Sequence, residues 1–403
     1  MSTSAPTRPS GPRRRPPGAR RLGVVAMVVV ATATIAAACA PPGPPASPPA
    51  PNPLTLGRGD VLGDASASGA AISADGRWVA FTSAASNLVP GDSGSSVDLF
   101  LRDRQTGSVE RIRELVNGAP RISSNGRFIS YQTQGQQLGV HDRVTQQVQE
   151  WVPNVSNSIR PIVPDDGAVA IYGAYSSFGI FSTACRVRDL STGAESNCPP
   201  GGPDYGTVAF EGASANGRFV VYYWLDQSGG GTSARLLWDR ELDTTTALVD
   251  PAIISFGSSV SVSGDGRYLA TVTFASGVPL GPIVHDLWTG TSVSPPGPVP
   301  NGNSFPVEIS ADGSTVLVLS EATNLVLDDT NGVADAFLWD VDSGSVERIS
   351  VTEPDGEQLP TGAFSCGQPG GQILADGSGA CVLAAEPVVP SDTNGVVDAY
   401  LLG

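Results

Sequence analysis

The groups able to do acid–base or nucleophilic chemistry are few: two histidines, five cysteines and 39 carboxylates in 403 residues. His141 and His285 each stand just before an aspartate, Asp142 and Asp286, a pairing that suits a general base. The equivalent points elsewhere read Arg102-Asp103, Arg188-Asp189, Trp238-Asp239 and Trp339-Asp340. A slot filled in turn by Arg, His and Trp is a structural slot, so no catalytic residue is assigned. Four cysteines, Cys185, Cys198, Cys366 and Cys381, form an even set once Cys39 is set apart. Each pair flanks a single hairpin, so disulfides are expected between Cys185 and Cys198 and between Cys366 and Cys381. Binding of a metal by these cysteines would need His or acidic partners at suitable spacing, and the sequence supplies none.

Two loops repeat an oxygen-rich spacing. Asp329-Thr-Asn-Gly-Val-Ala-Asp335 and Asp392-Thr-Asn-Gly-Val-Val-Asp398 put side-chain oxygens of Asp329, Asn331 and Asp335, and of Asp392, Asn394 and Asp398, at positions 1, 3 and 7. This resembles the opening of a calcium loop, and structural calcium is the only cofactor considered. The alternative is a turn in which the first Asp and the Asn cap the chain reversal and the last Asp opens a strand. Gly91-Asp-Ser-Gly94 imitates a serine-protease nucleophile, but it belongs to a degraded copy of the same loop, Asp92 to Asp98. No Gly-x-Ser-x-Gly elbow is present, and the glycine runs lack the lysine of a phosphate loop. Trp151 and Trp288 are the aromatics expected near connections, where a sugar-binding rim would need them; Trp78 and Tyr222-Tyr223-Trp224 are expected to pack between sheets.

The elements that position these groups follow from one phrase, an apolar run, a turn ending in glycine, and a second apolar run. It reads Ile72-Ser-Ala-Asp-Gly-Arg-Trp-Val79 and returns as Ile122-Ser-Ser-Asn-Gly-Arg-Phe-Ile129, Ala213-Ser-Ala-Asn-Gly-Arg-Phe-Val220, Val262-Ser-Gly-Asp-Gly-Arg-Tyr-Leu269 and Ile309-Ser-Ala-Asp-Gly-Ser-Thr-Val316, with reduced copies at Val163–Gly167 and Leu374–Gly377. Asp-Gly and Asn-Gly tolerate the positive φ of a tight hairpin, so each phrase is two antiparallel strands. A second hairpin follows in most cycles, as in Leu99–Ile112 and Ala336–Ile349. Seven cycles of roughly 50 residues, four strands each, predict an all-β, seven-bladed β-propeller. The seventh cycle stops after its third strand, at Asp398–Gly403, and the isolated stretch Pro53–Gly59 is the expected donor of the missing fourth. Closure of the ring by this N-terminal strand removes an exposed sheet edge.

The phrases resemble the TolB-type, WD-like β-propeller repeat of bacterial envelope proteins, over about residues 67 to 403. That family implies a propeller and leaves the task open, since such rings serve as binding platforms, enzyme gates and scaffolds.

All basic residues are arginine, and six of the 23 lie in the first 21 positions, ahead of every acid. From residue 39 onward the acids therefore outnumber the arginines heavily, which excludes nucleic acid and anionic membrane surfaces as direct partners. Arg13-Arg14-Arg15 and Arg20-Arg21 precede the apolar run Leu22–Ala38, giving residues 1–38 the form of a signal peptide. The small residues before Cys39 resemble the lipobox of bacterial lipoproteins, which implies lipid attachment at Cys39. Residues 39–52 then form a proline-rich linker and 53–403 the propeller. The expected protein is exported, held on the outer face of the membrane by its lipid or secreted, and monomeric. Its task reads as non-catalytic binding of a protein or cell-wall polymer, touching membrane only through the anchor. The alternative is a propeller-type glycan hydrolase or lyase with carboxylates in the central channel.

Overall fold

In the computed structural model, residues 52–92, 94–153, 161–175, 183–199, 207–225, 233–248, 260–275, 278–352, 355–367 and 372–403 are described. The expected signal peptide, the lipid-attachment cysteine Cys39 and nearly all of the linker lie outside them.

The described residues form seven antiparallel sheets and no helix. The chain is a seven-bladed β-propeller. Blade 1 runs a to d through Ala67–Ile72, Trp78–Ser83, Asp98–Asp103 and Ser108–Arg113. Blade 2 comprises Arg121–Ile122, Phe128–Gln132, Leu138–Asp142 and Gln147–Trp151. Blade 3 has strands b to d at Val169–Tyr175, Thr183–Asp189 and Glu195–Asn197, and Ile162 bridges to Ile171 where strand a would lie. Blades 4 and 5 are Thr207–Ala213, Phe219–Leu225, Ser233–Asp239, Thr244–Leu248 and Ser261–Val262, Tyr268–Ala275, Val278–Asp286, Thr291–Val293. Blade 6 is Ser304–Ile309, Thr315–Ser320, Asp335–Asp340 and Val346–Arg348.

Blade 7 has strands Phe364–Ser365, Ala380–Ala384 and Asp398–Leu402, and its outermost strand is Asn52–Pro53 from the other end of the chain, antiparallel with Asn52 opposite Leu401. The expected closure is present, one residue earlier than the sequence suggested. Leu54 donates its N–H to Ala399 O at 2.6 Å, and Leu54 and Leu56 are buried against the blade. The edge that the seventh cycle leaves open is thereby paired.

The turn phrase works as a small hydrogen-bond box. In blade 1 the Ser73 hydroxyl donates to Asp75 Oδ1 and accepts Trp78 N–H at 2.9 Å, while Asp75 accepts Arg77 N–H at 3.0 Å. The same box recurs at Ser123, Ser214, Ser263 and Ser310. All seven turn glycines take positive φ, between 65° and 79°. A second reason for glycine comes from the neighbouring blade. A Cβ on Gly126 would lie 2.5 Å from the Trp78 ring, and one on Gly266 would lie 2.6 Å from the Phe219 ring. The aromatic after the turn thus fills the space a side chain would occupy in the next blade's turn at Gly126, Gly167, Gly266 and Gly313.

The arginine of the phrase ties the start of strand b to the end of strand c in the same blade. Arg77, Arg127, Arg218 and Arg267 each bond the aspartate that ends strand c, Asp103, Asp142, Asp239 and Asp286, and lie 4.7–4.8 Å over the aromatic that follows them. Each aspartate also accepts a backbone N–H in the c–d turn. Blades 3, 6 and 7 have Ala168, Ser314 and Ser378 in place of that arginine, and blades 3 and 7 hold the disulfides.

Candidate functional site

The axial end of the ring is a collar of small residues. Ala74, Ser124, Ala215, Gly264, Ala311 and Ala375 occupy the third position of six turn phrases and line a space of 140 Å³. They are tied to one another, Ala375 N–H to Ala74 O at 3.1 Å, Ala74 N–H to Ser124 O at 2.9 Å and Gly264 N–H to Ala311 O at 2.8 Å. Glu308 is the sole ionisable side chain among the lining residues; it is buried and accepts the backbone N–H of Gln372 at 2.9 Å. Opposed acids from different blades, the arrangement a channel-based hydrolase or lyase would show, do not occur around this collar among the described residues.

The histidines occupy the structural slot expected of them. His141 and His285 are buried on strands c. Burial holds His141 below its ordinary pKa, against the pull of Asp142. His285 Nδ1 is 2.7 Å from Ser292 Oγ. The two disulfides are formed as expected, Cys185–Cys198 and Cys366–Cys381, with Cα atoms 5.2 and 5.8 Å apart. Such bonds persist in oxidising compartments, which suits an exported protein.

In the repeated Asp/Asn loops, Asn331 donates to Asp335 Oδ2 and to Leu359 O, both at 3.0 Å, and accepts Val333 N–H at 3.2 Å. Asn394 does the same with Asp398 Oδ2, Gly63 O and Val396 N–H. The asparagines are therefore bound into the turns. The acids are balanced differently in each blade. In blade 1 a guanidinium nitrogen of Arg111 lies 3.2 Å from Asp92 and 3.3 Å from Asp98. In blade 6 Arg348 is 3.9 Å from Asp329, whose buried carboxylate has no hydrogen-bond donor, and its pKa is raised by burial and by Asp335. In blade 7, which has no arginine there, the Tyr400 hydroxyl bonds Asp392 and the Thr55 hydroxyl bonds Asp398. No cluster of three or more His, Cys, Asp or Glu groups with metal-holding geometry occurs among the described residues.

A cleft lies on the rim, between the outer strands of blades 4 and 5, with a volume of about 450 Å³. Its floor is apolar, with Phe219, Leu237 and Leu248. Its walls carry hydroxyls, Thr244 and Thr246 from strand d of blade 4 and Thr291 and Ser292 from strand d of blade 5. At its lip stands Trp288, 71% exposed, on the c–d turn of blade 5. Asp286 fixes that turn by accepting Trp288 N–H at 2.9 Å, and the guanidinium of Arg267 lies 5.2 Å from the indole centroid and 4.7 Å from the Tyr268 ring. One face of the indole is thus backed by a cation and the other is open to solvent. Trp288 lies near a connection as the sequence suggested. Trp151 also stands where a connection begins, at the end of its strand, but it is buried, with its ring 6.0 Å from Tyr172 and the Arg188 guanidinium over it. Sequence reasoning missed the cleft, although Thr244-Thr-Thr246 on an outer strand beside a turn tryptophan is the signal that marks it.

No family model matches the chain, and no curated protein matches it. Among solved structures it is similar to the Pyrococcus horikoshii acylaminoacyl peptidase, at 14% identity and a TM-score of 0.52, over 84% of this chain and 51% of that one. It is similar to an oligogalacturonate lyase in complex with manganese, at 15% identity and 0.50, over 84% and 89%. TolB from Acinetobacter baumannii is matched at 13% identity and 0.39, over 76% of each chain. At such identities the likeness shows the propeller fold alone.

Proposed function

We propose that this protein is a non-catalytic binding module of the cell envelope, held outside the membrane by lipid on Cys39 and recognising a cell-wall polymer or protein with the rim of its propeller. The observation that carries the reading is the allocation of its reactive side chains. The arginines and aspartates of blades 1, 2, 4 and 5 are paired with each other inside their own blades, the axial collar offers a single engaged carboxylate, and the cleft between blades 4 and 5 presents an exposed indole and hydroxyls. Such a lining suits recognition, because its ionisable groups are already engaged: Asp239 with Arg218, Asp286 with Arg267, Asp265 within its turn, and buried His285 against Ser292.

The test is cosedimentation of the full-length protein with isolated cell-wall fragments, with reducing ends assayed in the supernatant. Saturable binding without new reducing ends supports the module. New reducing ends transfer the protein to the glycan hydrolase or lyase class. For the anchor, replacing Cys39 by serine should move the protein from the membrane to the soluble fraction; unchanged membrane retention counts against acylation.

A further inference from the structure

We infer that the cleft between blades 4 and 5 is a subsite for a neutral glycan, with one pyranose ring stacked on Trp288 and its hydroxyls bonded by the threonines of the facing strand. The inference deepens the binding-module reading and rests on it.

The indole supplies the first element. A tryptophan at 71% exposure leaves a large apolar face in water, yet this one sits on a fixed turn with Arg267 behind it. Ordering that ring costs little when a ligand arrives, because the turn is already held by Asp286. The axial C–H face of a pyranose is flat and apolar and suits such a surface, while its rim is a row of hydroxyls that need partners.

The partners stand opposite. The strand Thr244–Leu248 is exposed over its first four residues, and Thr244 and Thr246, two apart and so on one side of the strand, line the cleft. Each hydroxyl can donate one bond and accept two, which matches the mixed donor and acceptor character of a sugar rim.

Charge selects among glycans. The cleft lining contains Asp239, Asp265 and Asp286 against Arg218, and the whole chain carries a net charge of −16. Arg218 is taken by Asp239 at 2.7 Å and by Glu241 at 2.7 Å, so it is not available to a ligand carboxylate or phosphate. An anionic glycan would enter against this field, and a neutral one would not.

The experiment is a titration of full-length protein, followed by tryptophan fluorescence and by calorimetry, with triacetylchitotriose, cellotriose and, as the anionic control, trigalacturonate. Saturable quenching by at least one neutral trisaccharide and none by trigalacturonate is expected. Trp288→Ala should weaken that binding by about tenfold or more, and Thr246→Val by about threefold. Trp288 is exposed, so an unchanged melting temperature will show that its variant is folded. Binding that survives Trp288→Ala, a preference for trigalacturonate, or no response to either neutral sugar at 10 mM (about the weakest useful affinity) overturns the subsite. Wild-type and Trp288→Ala proteins that cosediment equally with cell wall would overturn the subsite and leave the binding module standing. Cleavage of a neutral sugar bound at Trp288 would do the reverse.

Discussion

The hydroxyl of Thr55 holds the ring shut, and its removal should be measurable. Thr55 is 2% exposed; its Oγ1 donates to Asp398 Oδ1 at 2.5 Å and accepts Ala399 N–H at 3.3 Å. Thr55→Val keeps the shape of the side chain and removes both bonds. A hydrogen bond to a charged acceptor contributes about 1.5–3 kcal/mol, and a buried donor left without a partner costs about 1–3 kcal/mol. Because Asn394 still serves the other oxygen of Asp398 at 2.7 Å, we expect a net loss of about 2–4 kcal/mol. For a chain of this length each kcal/mol lowers the melting temperature by about 2 °C, so a fall of roughly 4–8 °C is expected at pH 7.5. The loss should shrink at pH 5. Burial and Asp392 raise the pKa of Asp398, and the lost donor raises it further, so the protonated acid, which tolerates the valine, becomes populated as pH falls. Scanning calorimetry of wild type, Thr55→Val and Thr55→Ser at both pH values is the assay. Thr55→Ser should keep most of the stability. A Thr55→Val protein within about 0.5 kcal/mol of wild type at both pH values would refute the reasoning, because the closing strand would then contribute nothing through this contact.

Replacing Cys366 and Cys381 by serine opens a loop with a sequence separation of 15 and should cost about 3 kcal/mol, read by urea unfolding; an unchanged midpoint would contradict it. Gly266→Ala and Gly290→Ala both meet positive φ, 75° and 71°, but only the first drives a Cβ to 2.6 Å from the Phe219 ring. We expect about 2–5 kcal/mol for Gly266 and about 1–2 kcal/mol for Gly290, and equal losses would disprove the wedge between blades. Acid should unfold the ring by releasing its arginine–aspartate pairs. The Arg77 guanidinium holds Asp103 down at about 2, and Asp142, Asp239 and Asp286 are lowered by Arg127, Arg218 and Arg267. A depressed pKa gives stability that is present above the unfolded value and lost as pH falls through the folded one, so the melting temperature should drop between about pH 4 and pH 2. The drop should be smaller in Asp142→Asn, and a flat profile in wild type would count against the pairs.

The architecture was legible because its determinants are local. Ser-x-Asp-Gly-Arg needs only five consecutive residues to make a turn, and its copies along the chain make blades, so the ring and its closing strand could be read from one dimension. The Arg–Asp pairs were half visible: the arginine beside each turn glycine and the aspartate ending strand c stand 15 to 26 residues apart, and only the sheet register puts them together. The cleft was not visible, because it needs two facts absent from any one repeat, that strand d of blade 4 is left uncovered and that the turn of blade 5 faces it. Trp151 shows the converse. Its place at the end of a strand resembles that of an exposed aromatic, and its burial depends on Tyr172 and Arg188, residues of the neighbouring blade.

The alternation of fastenings around the ring means that no single condition loosens all of it. Blades 1, 2, 4 and 5 are held by ion pairs and blades 3 and 7 by sulfur, so protons act on one set and reductants on the other. The place where the ring first comes apart is then a property of the medium. Acid would open it among the ion-paired blades, while a thiol would open it at blade 3 or at the seam where the two ends of the strand order meet. Proteolytic fragments gathered under the two conditions would carry different new termini, and that difference would map the joints of the ring without a further structure.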